Sequence, residues 1–117
     1  MHLVESSDGV RIPVHDRGGS GPPLLLCHAT GFHGLVWGPF AAQLAQRFRV
    51  WSLDFRGHGD AGQPPGRPVD WRGFADDVLA VVDDLGLEQP LGFGHSMGGA
   101  ALLLAEAARP GTFGGLV

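Results

Sequence analysis

Cysteine is almost absent from this chain, a single Cys27 in 117 residues, so no internal disulfide can form and a reducing compartment suits it. Long apolar runs are absent too: none approaches the roughly 18 residues that a bilayer crossing needs. The first residues, Met1-His2-Leu3-Val4-Glu5-Ser6, have neither the basic region nor the apolar stretch of a secretory signal. A soluble cytoplasmic protein with no membrane partner is therefore expected. Basic stripes are also missing. With 8 Lys and Arg against 12 Asp and Glu the net charge is −4, which argues against nucleic acid as a partner. The six histidines contain no H-x-x-x-H pair, and one cysteine cannot complete a zinc set, so no metal is expected. Gly92 and Gly94 would need a third glycine at 97 for a dinucleotide loop, but that position is Met97. No cofactor is expected.

What is present is glycine and proline, 20 and 9 residues, placed between apolar segments as turn punctuation. Val10 to His15 alternates with period two after Asp8-Gly9, which predicts an antiparallel hairpin with a strand near residues 2 to 5. Leu24-Leu25-Leu26-Cys27 is a continuous apolar run, as in strands covered on both faces, and Cys27 is expected to be buried there. Phe40, Leu44 and Phe48 predict an amphipathic helix over 38–47, followed by a strand at Val50-Trp51-Ser52-Leu53. A loop from Asp54 to Val69 precedes a helix capped by Asp70, with Phe74, Val78, Val81, Val82 and Leu85 on its apolar face and Gly86 as its stop. Asp76 and Asp77 fall near the electropositive start of that helix. A strand over 90–94, a helix over 97–109 and the beginning of one more strand at 113–117 complete the order. The alternation predicts an α/β fold: a mostly parallel sheet with helices on both faces and an antiparallel N-terminal hairpin. No linker divides the chain, which reads as one domain at most.

Gly94-His95-Ser96-Met97-Gly98 lies where the strand gives way to the helix, the place of a G-x-S-x-G nucleophile elbow. The spacing alone is weak evidence. With five serines and 20 glycines, roughly one chain in seven of this composition would contain it by chance. Context adds weight: Gly92, Gly94, Gly98, Gly99, Ala100 and Ala101 supply the small residues that a sharp strand-to-helix turn requires. Ser96 is thus the candidate nucleophile, against the alternative of a glycine-rich turn with an incidental serine.

The elbow, the segment Cys27-His28-Ala29-Thr30-Gly31-Phe32 and the loop Asp54-Phe55-Arg56-Gly57-His58-Gly59 together resemble the α/β-hydrolase family, in its order and over nearly all of the chain. The resemblance implies the N-terminal part of a single α/β-hydrolase domain over 1–117, without a lid domain. It further implies a serine nucleophile, Ser96, and an oxyanion hole made by the backbone N–H groups of Met97 and Thr30. His28 and Ala29 would support that loop. The family usually has glycine where this chain has Ala29, which raises the question of the loop's backbone angle. His28 is a brace in this reading rather than a base, His95 a wall residue, Arg56 and His58 stabilisers of their own loop, and Asp54 structural. A small-molecule acyl substrate is implied, an ester, thioester or lactone, cleaved through an acyl-serine intermediate.

In this family the triad runs Ser, then Asp or Glu, then His. Both partners would follow Val117, so the chain alone is expected to be inactive. An open sheet edge would favour self-association. The other reading is a non-catalytic fragment that keeps the fold for binding. No pocket is legible in the residue pattern.

Overall fold

The computed structural model describes residues 1–66 and 69–117, so the part of the expected 54–69 loop at residues 67 and 68 lies outside the described residues. Six strands, β1 His2–Glu5, β2 Arg11–Asp16, β3 Pro23–Cys27, β4 Arg49–Leu53, β5 Leu91–Gly94 and β6 Gly115–Leu116, form one sheet in the order β1-β2-β4-β3-β5-β6. Three helices, α1 Gly38–Leu44, α2 Trp71–Asp84 and α3 Met97–Ala108, join them, with 3-10 turns at Ser7–Gly9 and Gly34–Trp37. β1, β2 and β4 run antiparallel in turn, while β4, β3, β5 and β6 are parallel neighbours. The expected mixed α/β sheet with its N-terminal hairpin is present.

The hairpin closes where Asp8-Gly9 predicts, with φ of +59° and +72° at the two residues and Ser6 N–H donating to the Val10 carbonyl at 2.7 Å. Its second strand differs from the simple alternation. Ile12, Pro13, Val14 and His15 are all buried, because both faces of β2 are covered: Ile12 and Val14 enter the core with α2, and the 3-10 turn at Gly34 lies against His15. β3 shows how a continuous apolar run divides in a doubly covered strand. Leu25 and Cys27 enter the larger core with α2 and α3, and Leu24 and Leu26 enter the smaller one beneath α1.

The strongest helix signal is met closely. The Asp70 carboxylate accepts from Gly73 N–H at 2.9 Å, and Gly86 at φ +63° ends α2. There Leu87 N–H bonds the Val82 carbonyl at 3.0 Å and Gly86 N–H the Asp83 carbonyl at 3.1 Å, the paired bonds of a Schellman stop. The predicted 38–47 helix is shorter. It ends at Leu44 and continues as turns that bond Arg47 N–H to Leu44 and Phe48 N–H to Leu44. Those turns are packed against Gly19 and Gly21, where an added Cβ would collide with the Ala45 and Arg47 carbonyls. No helix among the described residues is long and apolar enough to cross a membrane.

Register puts the functional edge in place. Leu26 pairs with Ser52 and Cys27 with Gly94, so the chain leaves β4, β3 and β5 at nearly one level. Asp54, His28 and Ser96 follow those ends.

Candidate active site

Ser96 sits two residues beyond β5, exposed, at φ +53° and ψ −110°. Asp8 and Gln89 also have positive φ, but Asp8, at ψ +21°, occupies the ordinary left-handed well of a turn. The Ser96 conformation is the mirror image of an extended one, open to glycine and costly for any side chain, about 1–3 kcal/mol. Such strain persists only where the surroundings over-determine it. His95 N–H donates to the Cys27 carbonyl at 3.1 Å, and the Ser96 carbonyl accepts from Ala100 N–H at 3.0 Å.

Absent side chains complete the turn. A Cβ at Gly94 would lie 2.6 Å from Gly98 C and Gly99 Cα. One at Gly98 would collide with the Cys27 carbonyl and stand 2.7 Å from the His28 carbonyl. Gly92 is pressed by Leu102 and Leu116, each with a methyl group 2.8 Å from where a Cβ would stand. The start of α3 is thereby laid against Cys27 and His28. Its first-turn amides, Met97 N–H among them, have no intrahelical acceptors, and the helix dipole adds positive potential there. The Met97 side chain points the other way and is buried in the core.

The segment after β3 is fixed by hydrogen bonds instead. His28 is fully buried; its Nδ1–H donates to the Ala29 carbonyl at 2.8 Å and its Nε2 accepts from Phe55 N–H at 3.1 Å. Burial pushes its pKa down to about 4 despite the bond to Ala29. A neutral ring with both nitrogens engaged cannot take a proton from Ser96. Beyond it, Phe32 N–H bonds the Ala29 carbonyl at 3.1 Å, closing a turn in which Thr30 is exposed and Gly31 has φ +85°. The left-handed position therefore falls on Gly31, and Ala29 carries no positive φ. The question raised by alanine in place of glycine is answered by the backbone.

The far end of this segment is held by Asp54, which is 2% exposed. Its carboxylate accepts from Gly34 N–H at 2.6 Å, Asp60 N–H at 3.1 Å and the His15 ring at 3.0 Å. Burial alone would raise its pKa, but these donors outweigh that and hold it below the usual carboxylate value. Ser52 Oγ donates to the Gly34 carbonyl at 2.8 Å. Asp54 is thus structural, as the sequence suggests, and it clamps two loops at once.

Arg56 is buried as well and grips Asp77, with Nη2 at 2.8 Å from one carboxylate oxygen and Nε at 3.1 Å from the same atom. Asp77 also accepts from Ser6 Oγ at 2.7 Å and Arg56 N–H at 3.0 Å. The expected place of Asp76 and Asp77 near the electropositive helix start is corrected: α2 begins at Trp71, its first turn holds no acid, and Asp77 in the second turn is fully buried as the counter-ion of Arg56. His58 bonds the Arg56 carbonyl through Nδ1 at 3.0 Å, within its own loop.

A cavity of about 240 Å³ opens beside the elbow, lined by His28, Ala29, Phe32, Val36, Trp37 and His95. Sequence reasoning located no pocket, and the lining shows why. Val36 and Trp37 come from a 3-10 turn that no periodicity announces, though two bulky apolar residues in a loop after a strand were the available signal. His95 takes the wall position expected of it. Among the described residues no group of His, Cys, Asp or Glu is placed to hold a metal ion.

Comparison with known proteins follows the same lines. Residues 24–117 match the Alpha/beta hydrolase family. Protein phosphatase methylesterase 1 of Mus musculus is 36% identical over 100 residues, 81% of this chain and 26% of the relative. Among solved structures, the esterase RhEst1 from a Rhodococcus species superposes with a TM-score of 0.89 at 31% identity, covering 98% of this chain and 43% of that one. An alpha/beta hydrolase from Sphaerobacter thermophilus gives 0.86 at 34% identity, with the same coverage of 98% and 43%. The chain thus spans about a quarter of that curated relative and less than half of those two solved chains.

Proposed function

The chain belongs to the Alpha/beta hydrolase family, and from that premise we propose that it carries the nucleophile and oxyanion hole of a serine hydrolase acting on ester-type bonds. The observation that carries this reading is Ser96 itself, a side chain kept exposed at φ +53° where glycine would be free of strain. Ser96 Oγ attacks the carbonyl carbon of a carboxylic ester, thioester or lactone. The carbonyl oxygen, now an oxyanion, is held by the N–H groups of Met97 and Thr30, with the α3 dipole behind them. The bond to the leaving alcohol or thiol then breaks, and the acyl group remains on Ser96 until water releases it. The methylesterase and esterase likenesses support this bond class.

The serine proton needs a base. After Ser96 the 117 residues contain no histidine, and their one acid, Glu106, is engaged at the end of α3 by Gly111 N–H at 2.6 Å and Phe113 N–H at 2.9 Å. No acid–base pair able to activate Ser96 follows it within residues 97–117, so ester turnover by these residues is far below that of a complete triad. Oxyanion hole and binding alone still leave about 1,000-fold catalysis over water. A reactive fluorophosphonate incubated with the chain therefore labels Ser96 slowly but to completion, as read by intact mass and peptide mapping. The urea-unfolded chain and Ser96→Ala stay unlabelled. Absence of labelling in the folded chain would identify a non-catalytic fragment instead.

A further inference from the structure

We propose that His15 is a positioning residue: from the N-terminal hairpin it fixes where the Thr30 amide stands, and so how fast Ser96 reacts. The inference rests on the reading of Ser96 as nucleophile and Thr30 as oxyanion donor. His15 belongs to β2, outside residues 24–117 that match the family, and β4 and β3 lie between β2 and the strand that carries the elbow.

His15 acts through one oxygen atom. Its buried ring donates from Nε2 to Asp54 Oδ1 at 3.0 Å, and the same Oδ1 accepts from Gly34 N–H at 2.6 Å. The ring also lies against the Gly34 backbone, where an added Cβ would stand 2.6 Å from His15 Cδ2 and 2.8 Å from the Leu53 carbonyl. Asp54 N–H bonds the Pro13 carbonyl at 3.0 Å, so β2 holds both the backbone and the side chain of this acid. The other carboxylate oxygen accepts from Asp60 N–H at 3.1 Å. Without the His15 donor one bond remains on each oxygen, and a terminal carboxylate torsion is soft, so the Gly34 bond loses its fixed direction.

Gly34 ends the segment that carries Thr30. The other end, His28, is tied to Phe55 N–H at 3.1 Å, and Phe55 directly follows Asp54. Both ends therefore hang on two consecutive residues, and of these only Asp54 holds through a side chain that must be aimed. His15 supplies the aim.

Fluorophosphonate labelling of Ser96 tests this on the chain itself, at pH 7 and with each variant shown to be folded by urea titration. In the reaction an Oγ–P bond forms, the P–F bond breaks, fluoride leaves and the hydroxyl proton passes to solvent. The rate at saturating reagent is read separately from the half-saturating concentration. A misplacement of about 1 Å costs on the order of 100-fold, so a loosened donor is expected to cost about 10-fold. His15→Met, which has the length of glutamine but no donor, lowers the saturating rate by that factor and leaves the half-saturating concentration unchanged. His15→Gln, which still donates to Asp54, stays within about 3-fold of the natural chain. Val4→Ala, in the core face of the same hairpin, lowers stability without slowing the reaction. Ser52→Ala removes the hydroxyl bonded to the Gly34 carbonyl and slows labelling as His15→Met does, which provides a second probe of the same anchor should the methionine variant not fold. Full speed in His15→Met or Ser52→Ala, a glutamine variant as slow as the methionine one, or equal slowing by Val4→Ala would overturn the inference while Ser96 stands. No labelling of the natural chain would overturn the nucleophile, and the inference with it.

Discussion

Two backbone segments meet at the functional edge, and they are held in opposite ways. The segment from His28 to Gly34 is fixed by side chains: the His28 ring bonds Phe55 N–H, Asp54 takes Gly34 N–H, and Ser52 caps the Gly34 carbonyl. The elbow from Gly92 to Gly98 is fixed by side chains that are missing, so that helix α3 can rest on the Cys27 and His28 carbonyls. The first arrangement depends on polar groups and responds to pH. The second depends on volume and responds to a single methyl group. They touch where Gly98 lies against the Cys27 and His28 carbonyls, so either kind of damage reaches the same place.

The elbow breaks most severely at Gly98. Gly98→Ala puts a methyl group onto fixed backbone carbonyls and is expected to destabilise by about 3 kcal/mol or more in urea unfolding. Gly99→Ala, one residue on, meets nothing nearer than Gly94 O at 3.6 Å, and should stabilise the helix by about 0.5–1 kcal/mol. Opposite signs at adjacent glycines mark a packing constraint; equal effects would mean that generic helix propensity is all that matters.

The bonded segment breaks with acid. His28 titrates near 4 when folded, below the value of about 6.5 for an unfolded histidine. Between those values the unfolded chain binds the proton and the folded one does not, so stability falls as pH drops from about 6.5 toward 4. The loss is on the order of 3 kcal/mol. Urea midpoints followed from pH 7 to pH 4 should show a steeper decline for the natural chain than for His28→Asn, which has no such proton to bind. Parallel declines would remove His28 from the account.

How much of this was legible in the sequence follows from the range of the interactions. The Asp8-Gly9 hairpin, the Asp70 cap, the Gly86 stop and the elbow are local, written within a few residues, and all appear where those residues predict. Cys27 is buried in a doubly covered strand, as its apolar run implies. The clamp of Asp54 on Gly34 and the grip of Arg56 on Asp77 join residues 20 and 21 positions apart, and only the folded sheet edge brings them together. The same holds for the cavity, whose walls come from the segment after β3, the 3-10 turn and the elbow. His15 reads as the polar face of an alternating strand; the 3-10 turn at Gly34 and the Asp54 carboxylate cover that face and bury it.

Between the two segments stands Ser96, and the central claim is that its strained backbone is kept for the exposed hydroxyl. Ser96→Gly tests that most directly, in urea unfolding at pH 7 beside Ser96→Ala. Glycine relieves the positive φ and should raise stability by about 1 kcal/mol, while alanine, which keeps a Cβ, should change it little. A glycine variant less stable than the natural chain would show that the serine side chain holds the turn together, and would contradict the account.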